Sequence, residues 1–241
     1  SIVDPAGNAT PTGSDSAVVD TTPSNGGLAP TVEITEDANN DGFINQAEAV
    51  GQADVKVSFD GSKVTIGDTV VIVSGAETKT VTIDAAAKAN GYVTTTFTPV
   101  GEGQTMSVTA KIVDPAGNAT PVATDSAKVD TTLPSLTAVL DPTSDSATKG
   151  DGLTNDRTPT ISGTGEPGAT IEVTMPGTNE KLTTTVAPNG TWSVTPTQDL
   201  PNGGPVDVQV KEIDPAGNVT TAVVPVTIDA AAPSLVITTS D

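Results

Sequence analysis

The sequence predicts an all-β protein made of tandem immunoglobulin-like β-sandwich domains arranged end to end. Three observations carry that prediction. Asp4-Pro5-Ala6-Gly7-Asn8 recurs as Asp114-Pro115-Ala116-Gly117-Asn118 and as Asp214-Pro215-Ala216-Gly217-Asn218. A period of about 100 residues is too long for a solenoid unit and suits a small sandwich. Apolar and polar residues alternate in runs such as Asp54–Phe59, Thr80–Ile83, Met106–Ala110 and Val206–Val210, the period of a half-buried strand. Those runs are rich in Val, Ile and Thr and are bounded by Gly, Asn, Asp and Pro, which is strand-and-turn composition rather than that of a disordered linker.

Taken in order, residues 1–22 hold one copy of the phrase and the landmark Val19-Asp20-Thr21-Thr22, so they match only the end of a repeat. Residues 23–132 make the first full repeat, with strands predicted at 31–36, 53–59, 68–74, 78–84, 92–98, 105–113 and 119–129. Residues 133–232 make the second, with strands at 136–140, 159–163, 169–175, 180–187, 191–196, 205–213 and 219–228. Residues 233–241 match only a beginning, so the sequence reads as a piece of a longer array. Helix is confined to a turn at 45–50 and a short stretch at 85–89. Asn90-Gly91 before Val93 aligns with Asn189-Gly190 before Trp192, which makes Val93 and Trp192 equivalent inward positions and Trp192 the centre of the second core.

Composition narrows the function. Thirty acidic residues against ten basic ones give a net charge of −20. That balance excludes nucleic acid, whose phosphates require a basic face, and anionic membrane surfaces. No apolar run is long enough for membrane insertion. Cysteine and histidine are both absent, so disulfides, thiol chemistry and a histidine base are excluded, and no enzyme is expected. With five aromatic residues in all, the cores are lean enough to need outside support.

The acids are grouped. Asp37-Ala38-Asn39-Asn40-Asp41-Gly42-Phe43-Ile44-Asn45-Gln46-Ala47-Glu48 fits the EF-hand loop pattern, with oxygen side chains at positions 1, 3 and 5, Gly at 6, an aliphatic at 8 and Glu at 12. Asp37, Asn39, Asp41, the Phe43 carbonyl, Asn45 and Glu48 are the candidate Ca2+ ligands. The preceding segment is a strand, so the loop reads as grafted between the first two strands of a sandwich; the alternative is a solvated acidic turn. In the second repeat the same place holds Asp141, Asp145, Asp151, Asn155 and Asp156, a second candidate set with no standard spacing. The Asp-Pro-Ala-Gly-Asn phrase reads first as a hairpin turn. Sandwich topology then brings Asp130 towards Asp214, and Asp20 towards Asp114. With no Lys or Arg expected among them, such carboxylates repel unless a cation sits between.

The Asp-Pro-Ala-Gly-Asn turn, the Val129-Asp130-Thr131-Thr132 linker and the segment Thr158–Thr170 (TPTISGTGEPGAT) resemble the bacterial Ig-like repeats of giant RTX-type adhesins and biofilm-associated proteins. The resemblance covers essentially the whole chain. It implies a long, secreted cell-surface protein exported by type I secretion, whose repeats form a calcium-rigidified extender that projects a distal ligand-binding module for attachment and biofilm formation. It also implies calcium at domain junctions, with Asp20, Asp114, Asp130, Asp214 and Asp229 as candidate ligands. Two departures stand against exact transfer: Asp229-Ala230-Ala231-Ala232-Pro233 lacks the Thr pair, and the first linker is one residue short before Pro23. The partners implied are calcium and neighbouring repeats of the same chain, which is otherwise a monomer. A carbohydrate- or protein-binding Ig-like module is the alternative. Sugar stacking needs exposed aromatics, and the only Trp is assigned to the core.

Overall fold

The computed structural model describes residues 1–233; residues 234–241, within the predicted start of a further repeat, lie outside the described residues. In chain order the first repeat forms β1 (Thr31–Ile34), β2 (Phe43–Ile44), β3 (Ala53–Ser58), β4 (Thr69–Ser74), β5 (Glu77–Thr82), helix α1 (Ala85–Asn90), β6 (Tyr92–Phe97), β7 (Thr105–Val113) and β8 (Ala123–Val129). The second forms β9 (Val139–Leu140), β10 (Leu153–Thr154), β11 (Ile161–Thr164), β12 (Thr170–Thr174), β13 (Lys181–Thr185), β14 (Thr191–Val194), β15 (Gly203–Ile213) and β16 (Val219–Ile228). Among the described residues the protein is all-β apart from α1 and a 3-10 turn at Asn25–Gly27.

Both repeats follow one plan. The first has a sheet ordered β1-β3-β6 and a second ordered β2-β8-β7-β4-β5; the second repeat has β9-β11-β14 and β10-β16-β15-β12-β13. This is the strand arrangement of an immunoglobulin-like sandwich. Alternation explains the burial. In β3, Ala53, Val55 and Val57 are buried, and in β7 so are Met106, Val108, Ala110 and Ile112. The second core gathers Ile161, Ile171, Val173, Met175, Leu200, Val208, Val210, Val226 and Ile228 around Trp192. The Trp192 indole N–H donates to the Thr164 carbonyl at 3.2 Å, which satisfies the one polar atom of the ring. Gly163 is required beside it, because a Cβ there would lie 1.9 Å from the Thr137 carbonyl oxygen.

Three local differences from the sequence reading have plain causes. The last strand of the first repeat starts at Ala123 rather than 119, with only an isolated bridge between Val113 and Ala119; Pro121 has no N–H for the ladder. Residues 45–50 form a turn and no helix. Strands β2 and β10 appear inside the acidic loops and run parallel to the last strand of their own repeat. Helix α1 forms as predicted: Asp84 caps it by accepting from the Ala87 N–H at 2.7 Å, and Gly91 ends it at φ 77°, the usual left-handed stop.

Proximity along the backbone divides the chain into two compact units. One comprises Ser1–Thr35, Asp54–Phe97 and Ser107–Ser126; the other comprises Glu36–Ala53, Thr98–Met106 and Ala127 onward. The first unit includes the exposed residues 1–22, where Asp4–Asn8 closes a tight turn with Gly7 N–H donating to the Asp4 carbonyl at 3.0 Å. The second unit includes the loop 37–48, the segment 127–134 and the whole second sandwich.

Candidate metal centre

The loop at 37–48 is folded by its own side chains. Asp37 is buried; its Oδ1 accepts the Asp41 N–H and its Oδ2 the Gly42 N–H, both at 3.0 Å. Asn39 Oδ1 also accepts the Asp41 N–H at 3.0 Å, and Asp41 Oδ1 accepts the Phe43 N–H at 2.9 Å. Gly42 turns the chain at φ 88°, a conformation that penalises a side chain. Further on, Glu48 Oε2 accepts the Asn45 N–H at 3.1 Å while Asn45 Oδ1 accepts the Ala47 and Glu48 N–H groups. The carbonyls of Gly42 and Ile44 accept from Lys128 and Asp130 N–H at 2.9 and 3.0 Å. Since carbonyls alternate along an extended strand, that pairing turns the Phe43 carbonyl to the other side, as a calcium loop requires at position 7.

The second acidic loop is the structural counterpart of the first. The carbonyls of Gly152 and Thr154 accept from Thr227 and Asp229 N–H, both at 2.8 Å, so Gly152 matches Gly42 and Asp229 matches Asp130. Asp151 Oδ1 accepts the Leu153 N–H at 3.0 Å, as Asp41 does for Phe43. Asn155 then stands where Asn45 does, and Thr158 where Glu48 does, so the closing carboxylate is missing. Asn155 Oδ1 instead accepts from Ser146 Oγ at 2.7 Å, and Asp156 Oδ2 from Ser144 Oγ at 3.0 Å. Asp145 is buried, with Oδ2 taking the Gly150 N–H and Oδ1 without a hydrogen-bond partner. Asp141 accepts the Thr143 N–H and hydroxyl; bonds from the Thr143 hydroxyl first, and then from Ser162, hold its carboxyl below the usual range.

The hairpin phrase builds a third cluster. Asp214 Oδ1 accepts the N–H groups of Ala216 and Asn218 at 2.9 and 2.8 Å. The Asn218 amide donates both to Asp214 Oδ2 at 2.9 Å and to the Asp130 carbonyl at 2.7 Å. In the first repeat Asn118 does the same for Asp114 Oδ2 and the Asp20 carbonyl, at 2.9 and 3.1 Å; that side-chain bond leads the causes that lower the Asp114 pKa. Each pair of aspartates is thus tied through an asparagine. Asp229 Oδ1 accepts the Ala231 N–H at 3.3 Å.

Two residues that the sequence reading missed lie beside Asp214. Glu212 is fully buried at 0% exposure; its Oε1 accepts the Glu166 N–H at 2.6 Å and its Oε2 has no partner. Burial raises the Glu212 pKa, and the Asp214 charge adds to it. Glu166 is raised too, by burial first and then by the charges of Asp214, Asp130 and Glu212. The four carboxylates therefore share one repulsive field. It is partly relieved by Lys128, whose Nζ lies 3.9 Å from Asp130 Oδ2. That base corrects the expectation of carboxylates free of Lys or Arg. In the first repeat Ile112 stands in the place of Glu212, and the buried acid is Asp68, whose Oδ2 accepts from Ser24 Oγ and Thr65 N–H while Oδ1 has no partner.

Residues 132–230 match the family of bacterial Ig-like domains. The chain is also similar to several solved structures. One is a Ca2+-stabilised adhesin that helps an Antarctic bacterium reach out and bind ice: identity is 28% and TM-score 0.41, over 94% of this chain and 55% of that one. Another is a 1.5-MDa bacterial ice-binding adhesin, at 22% identity and TM-score 0.40 over 88% of this chain and 67% of that one. The fibronectin(III)-like modules of Clostridium thermocellum CbhA follow at 16% identity and TM-score 0.46, over 87% and 100%. The chain thus spans about half the length of the first of these. No curated protein matches it.

The loop 37–48 offers only oxygen donors on a backbone already bent as a hard cation requires, which fits Ca2+. Among the described residues no three His, Cys, Asp or Glu side chains converge as a metal-holding group. The loop's three carboxylates, Asp37, Asp41 and Glu48, are among those that do not converge. Among the described residues no helix is long and apolar enough to cross a membrane.

Proposed function

We propose that this chain is a calcium-rigidified extender segment of a bacterial cell-surface adhesin, in which residues 23–132 and 133–232 act as non-enzymatic spacers. The observation that carries the reading is the loop Asp37–Glu48, whose oxygen-rich side chains bond its own backbone and whose Gly42 and Ile44 carbonyls accept from Lys128 N–H in β8 and from Asp130 N–H just beyond it. Bound Ca2+ supplies positive charge where carboxylates crowd. Asp37, Asn39, Asp41, Asn45, Glu48 and the Phe43 carbonyl hold it in the loop. Around a second ion Asp130, Glu166, Glu212 and Asp214 would draw together, since they do not converge without it; Asp20, Asp68 and Asp114 are the counterpart in the first repeat. Asp141, Asp145, Asp151, Asn155 and Asp156 make a weaker site, because Thr158 replaces the closing Glu. Asp229, which takes the place of Asp130 in the second repeat, is a further candidate ligand. Calcium fixes the segment 127–134 against the sandwich that follows it, and so stiffens the array.

Tandem repetition, the bacterial Ig-like family match and the sequence resemblance to adhesin extender repeats support a cell-surface role, reached by type I secretion and serving attachment in a biofilm. The carbohydrate-binding alternative is not favoured, because Trp192 is buried. Extracellular calcium modules bind at about 10⁻⁴–10⁻³ M, and a hundred-fold excess of ligand adds about 2.7 kcal/mol per site. Thermal melts of the full chain in EDTA and in excess calcium test the reading, together with small-angle scattering. Higher melting temperatures and a narrower distribution of lengths in calcium are expected; identical melts and profiles refute it.

A further inference from the structure

The hairpin of the second repeat is docked onto the loop at 37–48. Asn218 Oδ1 accepts the Gln46 N–H at 2.8 Å, directly between Asn45 and Glu48 of the loop. Gly217 approaches so closely that a Cβ there would lie 3.3 Å from Asn45 Nδ2. Docking buries Ala216 and Asn218, to 0% and 4% exposure. In the first repeat a Cβ on Gly117 meets nothing within 4 Å, Ala116 is exposed and Asn118 half-buried.

The Asn218 side chain touches both candidate cation sites at once. Its Oδ1 holds the backbone of the loop, and its Nδ2 holds the Asp130 carbonyl and Asp214 Oδ2. An amide has one acceptor and two donor positions, and all three point to fixed partners. Rotating or displacing the amide to suit one site breaks bonds to the other. Ordering the loop fixes Gln46, hence the amide, hence Asp214 and the Asp130 backbone; ordering the Asp214 cluster does the reverse.

We propose that Asn218 is a positioning residue that couples the loop Asp37–Glu48 to the Glu166, Glu212, Asp214 cluster, so that calcium in either site raises the affinity of the other. The proposal rests on the calcium reading above. Coupling of this kind is reciprocal: each site gains by the same factor. One interior hydrogen bond to a rigid partner corresponds to a factor of about three to ten. Calcium uptake by the intact chain is then cooperative between these two sites.

The test is calcium titration calorimetry on the full chain and on Asn218→Ala, Asn118→Ala, Glu48→Gln and Glu212→Gln. Glu212→Gln disables the cluster, and the loop affinity of the native chain is expected to fall about three- to ten-fold in response. In the Asn218→Ala background the same substitution leaves the loop affinity unchanged, while Asn118→Ala behaves as the native chain. Glu48→Gln gives the reciprocal measurement at the cluster, and in the native background it reads the coupling even if Asn218→Ala does not fold. Two sites that bind calcium additively in the native chain overturn the coupling and leave the calcium reading standing. Absence of any calcium uptake overturns both.

Discussion

Glu212→Gln turns the buried carboxylate into a quantitative probe. The native side chain is fully buried, with Oε1 on the Glu166 N–H and Oε2 without a partner. A buried polar atom left unpaired costs about 1–3 kcal/mol, more when charged. Glutamine keeps an oxygen for the Glu166 N–H and removes the charge that Asp214 opposes. The amide nitrogen inherits the unpaired position, so only the charge-dependent part of that cost is recovered, and in EDTA at pH 7 the variant is expected to be more stable by about 1 kcal/mol. For a domain of roughly 100 residues each kcal/mol moves the midpoint by about 4–8 °C. In calcium at a hundred times the dissociation constant, the native chain gains about 2.7 kcal/mol from this site and the variant does not, so the order of stability inverts or the gap closes. Trp192, the only tryptophan and part of this core, reports the transition by fluorescence. The pH dependence has a definite sign. Glu212 and Glu166 titrate above the ordinary glutamate value of 4.5, so their protonated forms favour the fold. That contribution is fully present below about 4.5 and is lost as pH rises through the folded values. In EDTA the advantage of the variant should widen from pH 4 to pH 7. An equal midpoint difference with and without calcium, or one that ignores pH, refutes the reasoning.

Three further outcomes are expected. Glu48→Gln should leave the melt in EDTA within about 1 kcal/mol of native and remove the loop's calcium gain of about 2.7 kcal/mol at hundred-fold excess, as read by calorimetry at both conditions. Gly42→Ala meets open space for its Cβ but sits at φ 88°, so its cost is backbone alone, about 1–2 kcal/mol; denaturant titration checks it. Trp192→Ala opens the second core and should cost about 3–5 kcal/mol, lowering one calorimetric transition while leaving that of the first repeat in place.

The fold was legible wherever alternation runs for four or more residues. Strands β3, β4, β7 and β15 lie where period two and β-branched content put them, and the alignment of Val93 with Trp192 correctly marks two buried positions. Strands β2 and β10 were not legible, because two residues have no period; they exist through pairing with a distant strand. The loop 37–48 is a local pattern, so its spacing could be read. The second loop hides the same plan behind a different length, and only the pairing of Leu153 and Thr154 with β16 reveals the correspondence. Glu212 carried a signal that went unused: it continues the inward series Val206, Val208, Val210, so a carboxylate occupies a core register on β15. Asn218 looked like turn chemistry alone, since its second role depends on a loop 172 residues away in sequence.

The direction of β2 and β10 bears on what happens when such a chain is pulled. Each lies parallel to the final strand of its repeat, held by bonds such as Lys128 N–H to Gly42 and Thr227 N–H to Gly152. Tension along the polypeptide drags these strand pairs past each other lengthwise, so the bonds are loaded in shear together rather than unzipped singly. The acidic loops are therefore the mechanical clasps of the two sandwiches, and whatever seals the loop at 37–48 also sets the load at which the first clasp lets go.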